Sequence, residues 1–250
     1  MIMKYPFVRP KFYLRLIKDV IGFIVKPQYV TTKEISVRNK IYETLGLFFI
    51  KLVFSLLVAN ILAVFYEPTN ITDANMANRF TPLVYLLVGG IILPLYEEVC
   101  FRLSLKFRPL YAALTFAVLS YYLLTKAIYK TNLSLVDETF YTRVLLSLFF
   151  GIIVYTLIHR KKIAQRLAVL WENNIRGIYY LSCVLFAWLH IFNFELNLTN
   201  ILLLPIITLP QLFSASIAGY TRLSFGFGYP LFVHMGTNLL FISLTFLPFD

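Results

Sequence analysis

Long apolar runs, separated by short and mostly basic connections, make up most of this sequence. A helix needs about 20 apolar residues to cross a bilayer, and the lengths of the runs predict seven spans. The spans are predicted at residues 46–66, 81–101, 110–124, 144–158, 177–192, 198–218 and 230–246. Several are short, so we expect their ends to extend into the flanking polar residues. Pro205 and Pro210 predict a kink in the sixth, because proline lacks the backbone N–H that a continuous helix uses.

The first 45 residues are predicted to form a basic arm, followed by one integral membrane domain at residues 46–250. Within residues 11–30, apolar and basic positions recur at helical spacing. The apolar positions are Leu14, Ile17, Ile21 and Ile24, and the basic ones are Lys11, Arg15 and Lys18. This pattern predicts an amphipathic helix that lies on an anionic membrane surface. A tether that only sets the topology is an equally good interpretation.

Composition favours a polytopic membrane protein, since 59% of the residues are hydrophobic and 14% are charged, against about a quarter charged in soluble domains. The predicted fold class is all-α, a transmembrane helical bundle of about seven spans plus the N-terminal interfacial helix. A net charge of +11 would favour nucleic acid if the charges shared one soluble face. They lie between the apolar runs instead, so we expect membrane lipid as a partner and no nucleic acid.

The basic residues also predict the topology, because cytoplasmic connections are enriched in lysine and arginine. Most of the 23 basic residues lie in the arm, Lys4 and Lys33 included, or in connections on its side, which include Arg102 and Arg222. The opposite side carries Arg79, Lys126, Lys130 and Arg143. Lys51, near the start of the first span, is expected to snorkel to the surface. We therefore expect a cytoplasmic N-terminus and an external C-terminus.

Two adjacent carboxylates, Glu97 and Glu98, end the second apolar run. A carboxylate at membrane depth costs about 2.5–3.5 kcal/mol on insertion scales and usually marks a functional site. Glu98 and Arg102 are four residues apart and share a helix face, whereas Glu97 is rotated by about 100° from Glu98. Our interpretation is that Arg102 holds Glu98 and leaves Glu97 available for chemistry.

Two histidines lie within predicted spans: His190 in the fifth, and His234 in the seventh, where Asn238 follows it on the same helix face. Each histidine alone is well explained as a core imidazole bonded to a backbone carbonyl. Together with the carboxylates, they satisfy one another in lipid only if their helices converge. Carboxylate, imidazoles and amide would then supply a base, a proton shuttle and oxyanion donors.

Three short motifs in these spans resemble those of the CPBP family, the CAAX-protease and bacteriocin-processing (Abi-type) intramembrane proteases. The sequence EEVCFR at residues 97–102 is similar to the family's EExxxR motif. FAWLH at residues 186–190 is similar to FxxxH, and HMGTN at residues 234–238 is similar to HxxxN. The motifs occur in the family's order, and the resemblance covers about residues 81–250. The first eighty residues lie outside it.

The resemblance implies an intramembrane endopeptidase of a prokaryotic plasma membrane, acting from the cytoplasmic side on a membrane-associated or lipidated, CAAX-like peptide. It implies that Glu97 activates the attacking water and that His190 shares the proton transfer. His234 and Asn238 would stabilise the oxyanion. Glu98 with Arg102 would keep the first motif in shape.

A metal is the open question for this site. Glu97, His190 and His234 form a plausible two-histidine, one-carboxylate zinc set. No HExxH pair is present, and Asn238 suits an oxyanion donor better than a zinc ligand. We therefore expect that no cofactor is required.

Two other function classes use the same residues. A non-catalytic membrane binding protein of the bacteriocin-immunity type would retain the polar cluster as structural glue. An ion or proton transporter also needs buried carboxylates and histidines, but these residues gather in three spans instead of lining a path. A mismatch of depth remains, because His190 lies roughly 20 Å into its span while Glu97 and His234 lie near cytoplasmic ends.

Overall fold

A computed structural model describes residues 6–29 and 35–247 of the chain. Within those ranges the regular structure is helical and no strand forms, although one isolated bridge pairs Asn70 with Phe194. Lys4, Lys33 and the other remaining residues of the predicted arm lie outside the described residues. Residues 248–250, at the end of the predicted membrane domain, lie outside them too.

The helices are named here in chain order. They are α1 (Pro10–Val25), α2 (Val37–Phe65), α3 (Ile71–Arg79), α4 (Pro82–Leu105), α5 (Pro109–Ile128), α6 (Phe140–Ile158), α7 (Lys161–Asn173), α8 (Ile175–Asn193), α9 (Leu198–Leu202), α10 (Leu204–Ile207), α11 (Leu209–Ser224) and α12 (Gly228–Leu244). A π-helical turn over Val88–Ile92 interrupts α4. A second one, Leu124–Ile128, ends α5.

Five helices, α2, α4, α5, α6 and α8, are long and apolar enough to cross a membrane. They coincide with the first five predicted spans. As expected, the short predicted spans extend into polar flanks: α5 ends at Ile128 and α6 begins at Phe140. The all-helical class is thereby confirmed, with five helices that meet the length and composition of a span.

The predicted sixth span, residues 198–218, is not one helix. Breaks at Leu203 and Thr208 divide it among α9, α10 and the first part of α11. Pro205 and Pro210 stand in the first turns of α10 and α11, where a missing N–H costs no hydrogen bond. The predicted kink is therefore two interruptions, and α11, with 16 residues, and α12, with 17, are shorter than the five apolar helices.

Helix α11 lies at the centre of the bundle and contacts α1, α2, α8 and α12. Every residue of Ser214–Ser224 is buried. Because protein and not lipid surrounds this helix, it accommodates serine, threonine and Arg222 among its apolar residues.

Helix α1 packs on the bundle through a face that the sequence did not single out. Phe12, Leu16, Val20 and Phe23 are buried there. The predicted apolar face is the other one: Leu14 and Ile21 are 57% and 55% exposed. The close approach of α1 to α2 depends on Gly46, because a Cβ there would lie 2.5 Å from Leu16 Cδ1.

Helices α4 and α12 pack closely beside the candidate site. Gly89 and Gly90, in the π-helical turn of α4, are both buried. A Cβ on Gly90 would lie 2.5 Å from Leu239 Cδ2 of α12. The two glycines of this turn therefore let α12 bring His234 next to the carboxylates of α4.

Three basic residues that the sequence assigned to connections are buried in the protein instead. Arg102 is 1% exposed, Arg143 0% and Arg222 4%. Arg222 donates from Nε to the Arg102 carbonyl at 3.0 Å and from Nη2 to the Leu103 carbonyl at 2.7 Å, so it caps the end of α4. These three residues stabilise helix ends and connections, and the topology prediction rests on the other basic residues.

Arg143 holds the connection between α5 and α6. Its guanidinium donates to the carboxylate of Asp137 at 3.0 Å and also to Thr125 and Tyr121. Hydrogen bonding from the Thr139 hydroxyl, together with Arg143, holds the pKa of Asp137 below its ordinary value.

Candidate active site

Glu98 is the fixed carboxylate of the site. His234 Nδ1 donates to Glu98 Oε1 at 2.9 Å, and Arg102 Nη1 lies 3.8 Å from the same oxygen. Glu98 and Arg102 are each 1% exposed. The Arg102 guanidinium also lies over the Phe186 ring, with Cζ 3.7 Å from its centroid. The helical spacing predicted the arginine partner, whereas the histidine partner follows only from the packing of α12 on α4.

Glu97 faces the cavity. Its side chain is 28% exposed, and Oε2 lies 3.6 Å from His234 Nε2. That distance is too long for a hydrogen bond, and it becomes an ion pair only when the imidazole is protonated. His234 therefore stands between two carboxylates, one at each ring nitrogen. The carboxylate held by Arg102 orients the ring, and the other remains accessible.

His190 has a settled tautomer. Nδ1 lies 2.7 Å from the Phe186 carbonyl, and since a carbonyl only accepts, the ring proton is at Nδ1. In the neutral ring Nε2 then carries the lone pair, and the residue lines the cavity. The Phe186 ring is the common neighbour of both imidazoles, with its centroid 4.6 Å from His190 and 5.8 Å from His234.

Asn238 joins α12 to the π-helical turn of α4. Its Nδ2 donates to the Gly89 carbonyl at 3.1 Å. A carboxamide has two N–H donors, so one remains for another acceptor. Asn238 lines the same cavity as His234, one helical turn away.

One cavity of about 480 Å³ collects the predicted residues: Glu97, His190, His234 and Asn238 all line it. Glu98 and Arg102 lie behind its wall. The exposed residues on its lining lie in α3, near the ends of α5 and α8, and just beyond α5 and α12; they are Asp73, Asn75, Arg79, Lys126, Asn132, Phe192 and Thr245. The basic-residue pattern assigns that end of the bundle to the outside. The predicted topology and the expected cytoplasmic access are therefore in conflict.

The depth mismatch between His190 and Glu97 is small in the structure. Ser182 Oγ of α8 donates to the Phe101 carbonyl of α4 at 2.6 Å, which fixes the register of the two helices. Counted from that bond, His190 and Glu97 differ by roughly 6 Å along the helix axes. The helices are antiparallel, and Cα–Cβ bonds tilt toward the N-terminus of each helix. The two side chains therefore lean toward each other.

Lys51 lines the cavity, and sequence reasoning missed it as a site residue. It is 4% exposed, so the expectation that it snorkels to the surface is wrong. Helix α2 begins at Val37, well before the predicted residue 46, and Lys51 consequently lies in its fourth turn. An isolated lysine within a long apolar run was the available signal, and the misplaced start of the span concealed it.

A metal set is not assembled in the described part of the chain, where no group of three or more His, Cys, Asp and Glu side chains is placed to hold an ion. Glu97, His190 and His234 share the cavity without converging on one point. The expectation that no cofactor is required stays a prediction.

The arrangement has the parts for acid–base chemistry on a bound water. Glu97 is an accessible carboxylate, the neutral ring of His190 offers the lone pair of Nε2, and Asn238 offers a donor on the same wall. Because the Nδ1 hydrogen of His234 is bound to Glu98, His234 adds a second donor at Nε2 when its ring is protonated. These residues come from three helices far apart in the sequence, and short contacts between the helices hold them. Comparisons with protein-family models, curated proteins and solved structures find no match to this chain.

Proposed function

We propose that this chain is an intramembrane endopeptidase that hydrolyses a peptide bond in a membrane-associated or lipidated peptide. One observation carries the proposal. The accessible carboxylate of Glu97 stands 3.6 Å from His234, whose other ring nitrogen is bound by the buried carboxylate of Glu98. The resemblance of three motifs to CPBP proteases supports the same reaction.

In the proposed mechanism, Glu97 takes a proton from a water molecule, and the water oxygen attacks the peptide carbonyl carbon. His190 Nε2 accepts a hydrogen bond from the same water and shares the proton transfer. The carbonyl electron pair moves to oxygen, and the oxyanion accepts a hydrogen bond from Asn238 and a second one from His234 Nε2 when that nitrogen carries a proton. Transfer of the proton from Glu97 to the amide nitrogen then lets the C–N bond break.

Access in this proposal is from the end of the bundle that carries α3, where the cavity lining is exposed. With the predicted topology, this is the outer end. The volume of about 480 Å³ lies within the range of small-molecule sites, about 300–1,000 Å³. It suits a short extended peptide segment and water, and it excludes a folded domain.

The experiment is a cleavage assay with the purified protein and Glu97→Gln, His190→Ala and His234→Ala variants. The substrate is a degenerate library of short peptides carrying an N-terminal acyl chain, and products are read by mass spectrometry. We expect each variant to lose about 10²–10⁴-fold in rate while it still inserts in the membrane. Glu138→Gln, an exposed residue outside the cavity, is the matched control and keeps full activity. Undiminished turnover by Glu97→Gln overturns the proposal.

A non-catalytic membrane binding protein is the second candidate, favoured by the burial of Glu98 and Arg102 within a purely structural cluster. In that case the Glu97→Gln variant keeps its binding function, because an amide preserves hydrogen bonding although it has no basicity. Cleavage by the wild-type protein that Glu97→Gln abolishes excludes this second candidate.

A further inference from the structure

Lys51 presents an unpaired cation to the cavity from α2, in the part of the chain that the motif resemblance does not cover. It is 4% exposed and lines the cavity. Among the described residues, no hydrogen bond and no carboxylate within 4.0 Å engages its ammonium group. Glu97 and Glu98 act on it electrostatically from farther away. A buried charge without a close partner is expensive, and within a membrane helix it marks a ligand site.

The surroundings of Lys51 are polar as well. Ser55 lies one turn further along α2, and Gln211 and Ser214 face the same cavity from α11. Beside these residues the rings of Phe54 in α2 and Phe213 in α11 pack against each other, with their centroids 4.1 Å apart. We refer to the four polar residues as the Lys51 wall; they are Lys51, Ser55, Gln211 and Ser214.

Gln211 is the second unpartnered group of the Lys51 wall. Its Oε1 is buried and accepts no hydrogen bond from the described residues. A buried carbonyl without a donor costs about 1–3 kcal/mol. It would therefore gain from an N–H that a ligand brings into the cavity.

These groups fit one kind of ligand. A single ammonium flanked by hydroxyl donors matches an anion with one charge, such as a carboxylate. The Gln211 oxygen accepts a peptide N–H. Arg102, whose guanidinium would favour a phosphate, is turned to Glu98 and Phe186.

We propose that the Lys51 wall binds a carboxylate of the peptide substrate and thereby selects it. The carboxylate belongs either to the peptide's C-terminus or to an aspartate or glutamate side chain. This inference rests on the proposed peptidase function and names the substrate class for it. In the competing interpretation, Lys51 only balances the charge of Glu97 and touches no substrate.

The test uses the degenerate acylated peptide library in three forms: with a free C-terminal carboxylate, with a C-terminal amide, and with an amide plus one internal aspartate. Michaelis constants and turnover are measured for the wild type, Lys51→Met and Lys51→Arg. We expect Lys51→Met to raise KM by roughly 10- to 100-fold more for a carboxylate form than for the amide form. Lys51→Arg restores part of the difference. The form of the peptide library whose KM rises most identifies the source of the carboxylate.

Two controls keep the outcomes separate. Lys130→Met removes an exposed lysine outside the cavity and changes neither constant. The unfolding midpoint of Lys51→Met in detergent should be no lower than that of the wild type, because the variant removes a buried unpaired charge. An equal fall of turnover for all three peptide forms in Lys51→Met overturns the inference in favour of charge balance.

Binding to Glu97→Gln protein separates this inference from the peptidase proposal. If Glu97→Gln protein binds more of the carboxylate library than of the amide library, and this difference disappears in the Glu97→Gln, Lys51→Met double variant, the carboxylate site is supported. That result holds even if the wild type cleaves nothing. Equal retention of both libraries overturns the inference, whatever the cleavage assay shows.

Discussion

Glu98, Arg102 and His234 form an ionic cluster that holds the site together at the scale of single residues. Glu98 has two partners, at 2.9 Å and 3.8 Å, and almost no contact with solvent. The i,i+4 spacing within one helix was enough to predict the pair of Glu98 and Arg102. It was not enough for the contact with His234, because that contact depends on how two distant helices pack.

Replacing Arg102 by alanine is expected to lower the free energy of unfolding by about 3–5 kcal/mol, because Glu98 would stay buried with one partner fewer. Detergent unfolding followed by circular dichroism measures the loss. Arg108→Ala removes an exposed arginine from the start of the next helix and should change stability by no more than about 0.5 kcal/mol.

The double variant Glu98→Gln, Arg102→Ala checks the physical reason. It should be more stable than Arg102→Ala alone, since the uncompensated carboxylate is gone. The Glu98→Gln variant is measured as well. If the double variant loses the sum of the two single losses, Arg102 stabilises the fold through Phe186 and not through Glu98.

At the scale of helices, the close approaches depend on glycines at packing contacts. Gly46 lets α1 lie against α2, and Gly90 lets α12 lie against α4. Hydropathy along the sequence correctly predicted five helices that are long and apolar enough to cross a membrane. It failed for residues 198–218, because α11 is enclosed by protein and its composition reflects its neighbours and not lipid.

Gly46→Ala is expected to destabilise the protein by about 1–3 kcal/mol, because its Cβ would overlap Leu16 and Phe12 of α1. Gly22→Ala is the matched control within α1. A Cβ at Gly22 meets nothing within 4 Å, so this change should stabilise the helix by up to about 1 kcal/mol. Thermal unfolding of both variants decides the point, and equal midpoints would contradict the close packing of α1 on α2.

At the scale of the whole molecule, the membrane topology determines the side from which a substrate enters the cavity. The pattern of basic residues predicted which helix ends lie on the same side of the membrane. The cavity opens at the end of the bundle that carries α3. The motif residues line one cavity, as the need of buried polar groups for partners predicted, yet the direction of access was not readable from the sequence. It depends on which end of the bundle is left open by α3 and the connection after α5.

Single cysteines at Asn132 and Arg166, two exposed positions, test the topology. In intact bacteria that express the protein, a membrane-impermeant maleimide should label Asn132→Cys, whereas Arg166→Cys should react only after permeabilisation. Cys100 and Cys183 are buried and supply the unlabelled background. Labelling of both positions from one side would contradict the predicted arrangement of spans.

The enclosed position of α11 constrains how the protein is synthesised. This helix leaves the ribosome after α2, α4 and α8, and its Arg222 finds its carbonyl partners only once α4 is in place. The carbonyls that receive Arg222 belong to Arg102 and Leu103, which the ribosome has made much earlier. We therefore expect α11 to reach its enclosed position only after the earlier helices have been made and have packed together.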